Sequence, residues 1–492
     1  MHFIGGRAAQ ATARAALLLL LVRLLEVADY GVYMLIIGLS ETLLQVASLG
    51  ILPVGQRYLP QMLTTLPIKK LHAFVALLAS AQIAILCLIT LMLFKYWPLL
   101  TPYMSFTAEQ TAATQSAIWL FLLIPAFRFS AEMLDALLEQ GKAQITRALM
   151  PTARVAGICV LLITGIDINL TNIFIIDIAV TSFCLLLAWI FLHNGLRTLH
   201  SAEAQGTIPI REMLRFAWHM AAVGLMGATA SPGALRLVLA NVLGVVESGL
   251  FAFLQSLQRL IGRYLPGTLL RGLIRPILIT RAFSTGGMAI VEAGSGLLLK
   301  SNLIIVAAGT IAIAVVGDEF VAWISGGKYT EAGLTLLLMF LALAVTSQRT
   351  VIEMVMQITG HTAVLRATSL ISPAALLAIW MFADRGLNTA VVISALAAAL
   401  ANWIAIAMLT KSTGGFQVDW RGLLAILIPA SVVIATSFSL KSLLNPFLIS
   451  ILAIFVFILL VRLTKPYKNE EMAIIERGLG QYAARLIRGF SS

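Results

Sequence analysis

Charge is scarce in this chain. Of its 492 residues only 11% are charged, against 60% hydrophobic, which excludes an ordinary soluble domain and a disordered chain alike. Cysteine is nearly absent. Cys87, Cys159 and Cys184 all sit in apolar segments at no metal-like spacing, so they supply neither a disulfide framework nor a metal site. The histidines, His2, His72, His193, His200, His219 and His361, are scattered with no acid at catalytic spacing. No metal motif occurs, no cofactor is expected, and the constellation a membrane enzyme of polysaccharide assembly needs is missing.

What is present is apolar length. Runs of roughly 18 to 24 apolar residues recur from end to end, each long enough to span a bilayer as a helix. They are continuous rather than alternating, which excludes a barrel. The expected fold is all-α, a polytopic bundle of about 14 transmembrane helices, among them 11–28, 31–54, 71–95, 246–268, 295–316 and 446–463. Arg7 and Arg14 precede "AALLLLLV", but Arg23 and Glu26 interrupt the run, so this reads as a retained first helix and not a cleaved signal. With that count most lysines and arginines fall on one side, the exceptions being Lys95, Lys328, Arg385 and Lys441. The bias puts both termini in the cytoplasm.

The outer loops are short, and the longest inner connection carries the polar stretch "RTLHSAEAQGTIPIRE". The organisation expected is a six-helix half-bundle over 1–194, a cytoplasmic linker over 195–213, a second six-helix half over 214–411, two further transmembrane helices over 412–465 and an amphipathic tail helix over 466–492. "DYGVY" (Asp29–Tyr33) and "ESGLF" (Glu247–Phe251) share an acidic-x-Gly-x-aromatic pattern at corresponding turns of the two halves.

The few charges inside the helices carry the functional argument. An arginine at mid-helix costs roughly 2.5–3.5 kcal/mol to insert, so each must pair, snorkel or line a wet cavity. Arg23/Glu26, Arg128/Glu132 and Arg349/Glu353 sit at spacings that place opposite charges on one helical face. The last two suit either a structural ion pair or a place along a substrate path. Arg259 and Arg263 are like charges one turn apart. Either an anion such as a diphosphate bridges them, or their helix emerges into water, since Arg271 and Arg275 continue the basic run. Arg154 and Arg236 have no acid near them in sequence, and Arg236 follows "SPG" (Ser231–Gly233), which should bend its helix. The excess of arginine over acid favours an anionic substrate.

Local stretches resemble a known family. "VRLLEVADYGVYMLI" (Val22–Ile36), "SLGILPVGQR" (Ser48–Arg57) and "RLTKPYKNEEMAII" (Arg462–Ile475) look like the opening, second-helix and tail signatures of the polysaccharide transporter family of oligosaccharide-lipid flippases. That family belongs to the superfamily that holds multidrug exporters and the lipid II flippase. The resemblance implies alternating-access transport of a polyprenyl-diphosphate-linked oligosaccharide across a bacterial inner membrane, for exopolysaccharide, capsule or O-antigen synthesis. A cationic cavity would use Arg23, Arg57, Arg154, Arg236, Arg259 and Arg263. Membrane lipid, a polysaccharide polymerase and export machinery are the implied partners, and nucleic acid is not. "LSETLLQVASLGILPV" lacks the proline-asparagine pair and Glu-Gly-Ala stretch of the lipid II flippase, which disfavours a peptidoglycan precursor as cargo. The alternative is a cation-coupled multidrug antiporter, with Glu26 or Glu41 as the coupling acid.

Overall fold

The computed structural model describes residues 2–197, 209–269, 287–359, 361–413, 416–440 and 445–472. The middle of the expected linker, Arg271, Arg275 and the expected tail helix past Met472 lie outside them. Among the described residues the structure is helical throughout, with no β-strand. The helices divide into two compact units, Met1–Phe253 and Leu254–Ser492.

The first unit contains α1 (His2–Leu24), α2 (Val27–Ala47), α3 (Ile51–Thr65), α4 (Ile68–Leu100), α5 (Ala108–Ala117), α6 (Leu120–Ala136), α7 (Gln140–Thr164), α8 (Leu170–Arg197), α9 (Ile210–Thr229), α10 (Pro232–Leu243) and the start of α11 (Val245–Gly262). The helix expected over 31–54 is in fact two. Leu49 and Gly50 take positive φ, 40° and 80°, and end α2 before α3 begins. The "SPG" break falls where the sequence places it. Ser231 caps α10 through its hydroxyl, Pro232 fills the first turn, and α9 and α10 bend by 41°. Among the described residues eleven helices are long and apolar enough to cross a membrane, or twelve with α9 and α10 as one span. The chain is therefore a multi-pass membrane protein. The first and eighth expected segments, α1 and α11, are helical but outside that set, because their arginines and polar side chains dilute the apolar run.

A core of Val54, Tyr58, Leu59 and Met62 from α3, with Phe74 and Leu78 of α4 and Met133 of α6, binds these three helices together. By contrast α2 leans on α10 and α11 through close backbone approach. A Cβ at Gly31 would overlap the Val245 carbonyl, and one at Gly38 would crowd Gly233. Small residues at such crossings let membrane helices make contacts that lipid cannot replace. The hydroxyls of Thr42 and Ser231 meet at 2.8 Å on this seam. The segments "DYGVY" and "ESGLF", expected as turns but helical near the starts of α2 and α11, meet here as well, with Gly31 against Gly249 and Tyr30 edge-on to Phe253 at 6.4 Å.

The second unit continues with α12 (Pro266–Leu269), α13 (Gly287–Ser325), α14 (Gly333–Ile358), α15 (Thr362–Ser369), α16 (Ile371–Phe382), α17 (Leu387–Thr413), α18 (Trp420–Leu440) and α19 (Pro446–Thr464). At 39 residues α13 outruns the expected 295–316, and it is kinked at Val316. It packs along α14, α18 and α19.

Near one end of α13 the fully buried Lys300 is clasped by two acids that are distant in sequence. Its Nζ lies 2.7 Å from Asp419 Oδ2, just ahead of α18, and 2.8 and 2.7 Å from the two oxygens of Glu471, beyond α19. Tyr467 bonds Ser301 at 3.0 Å and is pushed up to about 12, chiefly by burial. Burial also raises the Glu471 carboxyl, and Lys300 only partly offsets it. At Asp419 burial pushes the same way, but hydrogen bonds from Lys300 and the Gly422 amide outweigh it and hold the carboxyl below its ordinary value.

Truncating one partner of such a clasp leaves a buried charge unanswered, so Lys300→Ala is expected to cost about 3–5 kcal/mol of stability in detergent melts. Asp419, with its lowered value, stabilises the fold above the ordinary aspartate range and loses that contribution as pH falls through its folded value. Asp419→Asn should therefore flatten the acid limb of a stability–pH profile. Glu471 has the opposite sign, its contribution being lost as pH rises through its raised value. Glu471→Gln should remove that loss.

Candidate functional site

The charges of the first unit gather on α2, α3, α6 and α7. On α6 the Arg128/Glu132 spacing invites an intrahelical pair, but the structure forms none. Arg128 instead pairs across to Glu41 of α2. Glu132 is taken by Arg147 of α7 at 3.1 Å and accepts from Gln56 of α3 at 2.9 Å. Arg147 also reaches Asp135 at 2.5 Å and receives at its carbonyl the Gln10 side chain of α1, at 3.0 Å. A carboxylate on the facing helix answers the Arg128 charge and joins two helices at once.

These side chains remain 25–42% exposed. Partly exposed charge on spanning helices requires water or a polar head group beside it, not hydrocarbon. Arg57, on α3, is the exposed cation of this face with no carboxylate partner among the described residues. Its guanidinium stacks 4.6 Å from the Phe216 ring and 5.4 Å from the Tyr58 ring, which fixes its position without neutralising it. The face thus holds three pairing acids, two arginines paired with them, and one arginine, Arg57, stacked on rings and exposed.

The other expected site residues are placed as follows. Arg23 and Glu26 are exposed at the junction of α1 and α2. Arg154 is buried between α7 and α8, its Nε 3.1 Å from Asp177 and its Nη2 3.2 Å from Thr181. Tyr33 of α2 donates to the second Asp177 oxygen at 2.9 Å and stacks on Phe174. Arg236 is 1% exposed and donates to the Met34 carbonyl at 2.9 Å, clamping α10 onto α2. In this conformation Arg154 and Arg236 are thus both occupied by protein groups.

In the second unit Arg349 pairs with Glu353 at 2.8 Å, as its spacing requires, and bonds Thr368 and the Ala401 carbonyl. Arg259 is half-buried, 3.5 Å from Ser256, while Arg263 lies exposed just past the end of α11.

Sequence reasoning missed Asp177 as the partner of Arg154. It also missed Tyr33, Gln56, Asp135, Arg147 and the Lys300 clasp. A signal was present for the first. α8 contains a single acid before its exposed end and α7 a single arginine in its apolar half, so matching lone charges on consecutive helices would have joined them.

With this geometry in place, the chain can be set beside solved structures. The fold is that of a lipid II flippase. The structure of the lipid II flippase MurJ in its inward closed conformation superposes with a TM-score of 0.62, over 94% of this chain and 98% of that one, at 13% identity. At that identity the likeness is one of fold. No family model matches the chain, and no curated protein matches it.

Asp177→Asn is expected to destabilise the protein by about 3–5 kcal/mol, because it leaves the Arg154 charge buried and unanswered. Tyr33→Phe removes one hydrogen bond to a charged group and should cost about 1.5–3 kcal/mol. The paired change Arg154→Met with Asp177→Leu should cost less than Asp177→Asn alone, as read from thermal unfolding in one detergent.

Proposed function

We propose that this protein is a flippase, a transporter and not an enzyme, that moves an anionic lipid-linked head group across a bacterial inner membrane by alternating access. The observation that carries this is the end-to-end likeness of fold to a lipid II flippase, spanning nearly the whole of both chains. The cargo we favour is a polyprenyl-diphosphate-linked oligosaccharide repeat unit for exopolysaccharide, capsule or O-antigen synthesis. A diphosphate matches a stacked guanidinium with no carboxylate partner among the described residues, as Arg57 is. The segments 1–194 and 214–411 would be the two rocking halves, with both termini cytoplasmic. A polymerase and export machinery would act on the delivered unit. Glu41 is committed to Arg128, which is why an anionic cargo is favoured over a cationic drug.

Depleting the protein and analysing lipid extracts by mass spectrometry should reveal accumulated polyprenyl-diphosphate carrying a complete repeat unit, together with loss of surface polymer. Arg57→Ala should reproduce this, with transport reduced about tenfold or more, the worth of one charge-assisted hydrogen bond. Arg57→Lys keeps the charge but loses the stack and should fall between. A normal lipid pool with unaltered polymer rejects the proposal, and repeat units lacking one decoration would point to an enzyme.

A further inference from the structure

The segment Ser48–Leu49–Gly50 interrupts what would otherwise be one continuous helix, and the surroundings are built for the interruption. Gly50 is required twice over. Its φ of 80° disfavours any side chain, and a Cβ would overlap the Ala217 backbone of α9. Leu49 holds φ at 40° while remaining 48% exposed. The break reroutes backbone bonding. The Ile51 amide turns back to the Ser48 carbonyl at 2.6 Å, so the Ala47 carbonyl loses its helical donor. Gln82, fully buried on α4, supplies the missing donor at 3.3 Å. Away from bulk water such a substitute partner is what allows non-helical backbone to persist.

The two sides of the break share α6 and α9, and Leu43 and Ala47 at the end of α2 pack with Leu86 of α4 and Ala126 of α6, but their other partners differ. Before it, α2 is seamed to α10 and α11 at Gly31, Gly38 and Thr42 and pinned by Arg236. After it, α3 shares an apolar core with α4 and α6. Polar links between the sides are Glu41 of α2 on Arg128 of α6, both partly exposed, and Gln82 of α4 on the Ala47 carbonyl, while Gln56 of α3 on Glu132 ties α3 to α6 on the far side.

We propose that Ser48–Gly50 is a hinge about which α2, carried with α10 and α11, tilts against α3, carried with α4 and α6, and that Gln82 is the positioning residue that keeps the hinge broken. The Glu41–Arg128 pair is then the latch that opens as the tilt occurs. The hinge goes beyond the flippase reading and is tested without any cargo, so failure of one is distinguishable from failure of the other.

The test is double electron–electron resonance on the full chain reconstituted in lipid nanodiscs. Spin labels go at Glu26→Cys on the far end of α2 and Gln61→Cys on α3, in a background with Cys87, Cys159 and Cys184 replaced. A hinge gives two distance populations, or one that Glu41→Gln converts into two by opening the latch. Gln82→Leu should change their ratio by about threefold or more, a bias any differential stabilisation of two states produces. Leu49→Gly, which relieves the strained position with little risk to folding, should shift the ratio as well, should Gln82→Leu fail to fold. A single distance unchanged in Glu41→Gln and Leu49→Gly overturns the proposal and makes the break a rigid kink.

Discussion

Stripping a guanidinium of its water inside an apolar bundle costs more than one hydrogen bond returns, so every arginine between these helices has to be answered where it stands. That requirement organises the first unit. Arg154 draws Asp177, Thr181 and, through the carboxylate, Tyr33 into one buried cluster joining α2, α7 and α8. Arg236 uses a backbone carbonyl on α2. Arg128 and Arg147 are answered by acids on α2 and α6. Arg57 differs, being seated on aromatic rings and left charged. On this face of the first unit, Arg128 and Arg147 are matched by acids, while Arg57 is stacked on two rings and exposed.

The same economy governs backbone groups. Where α2 stops, a buried glutamine takes over the carbonyl left without a donor. Where α10 begins, Ser231 caps it. In the second unit the Asn302 side chain accepts from the Gly267 amide at 2.8 Å, at the start of α12. Breaks in spanning helices are therefore tolerated at sites prepared for them. A further interruption is the kink at Val316 in α13.

Much of the fold was legible because it depends on length and periodicity alone. Apolar runs long enough to span a bilayer appear as helices, the "SPG" bend falls where its residues dictate, and Arg349 finds Glu353 one turn away. Less was legible where a partner comes from another helix. Arg128 ignores Glu132 for Glu41 because the facing carboxylate joins two helices, and spacing along one helix carries no information about a facing one. Lys300 gave no sign of its clasp, since Asp419 and Glu471 lie 119 and 171 residues away. The break at Leu49 was hidden by a leucine, which rarely adopts positive φ, standing beside a glycine that a membrane helix tolerates elsewhere.

The central claim is that this bundle carries an anionic lipid head across the bilayer and that Arg57 engages it. Reconstitution into proteoliposomes tests it most directly. A polyprenyl-diphosphate oligosaccharide is placed in the leaflet facing the protein's cytoplasmic side, and its sugar is detected from the opposite side by an impermeant lectin. The account predicts protein-dependent appearance of sugar at the far face, strongly slowed by Arg57→Ala in protein that melts like the wild type. Appearance at the same rate in protein-free vesicles, or with Arg57→Ala, would contradict it.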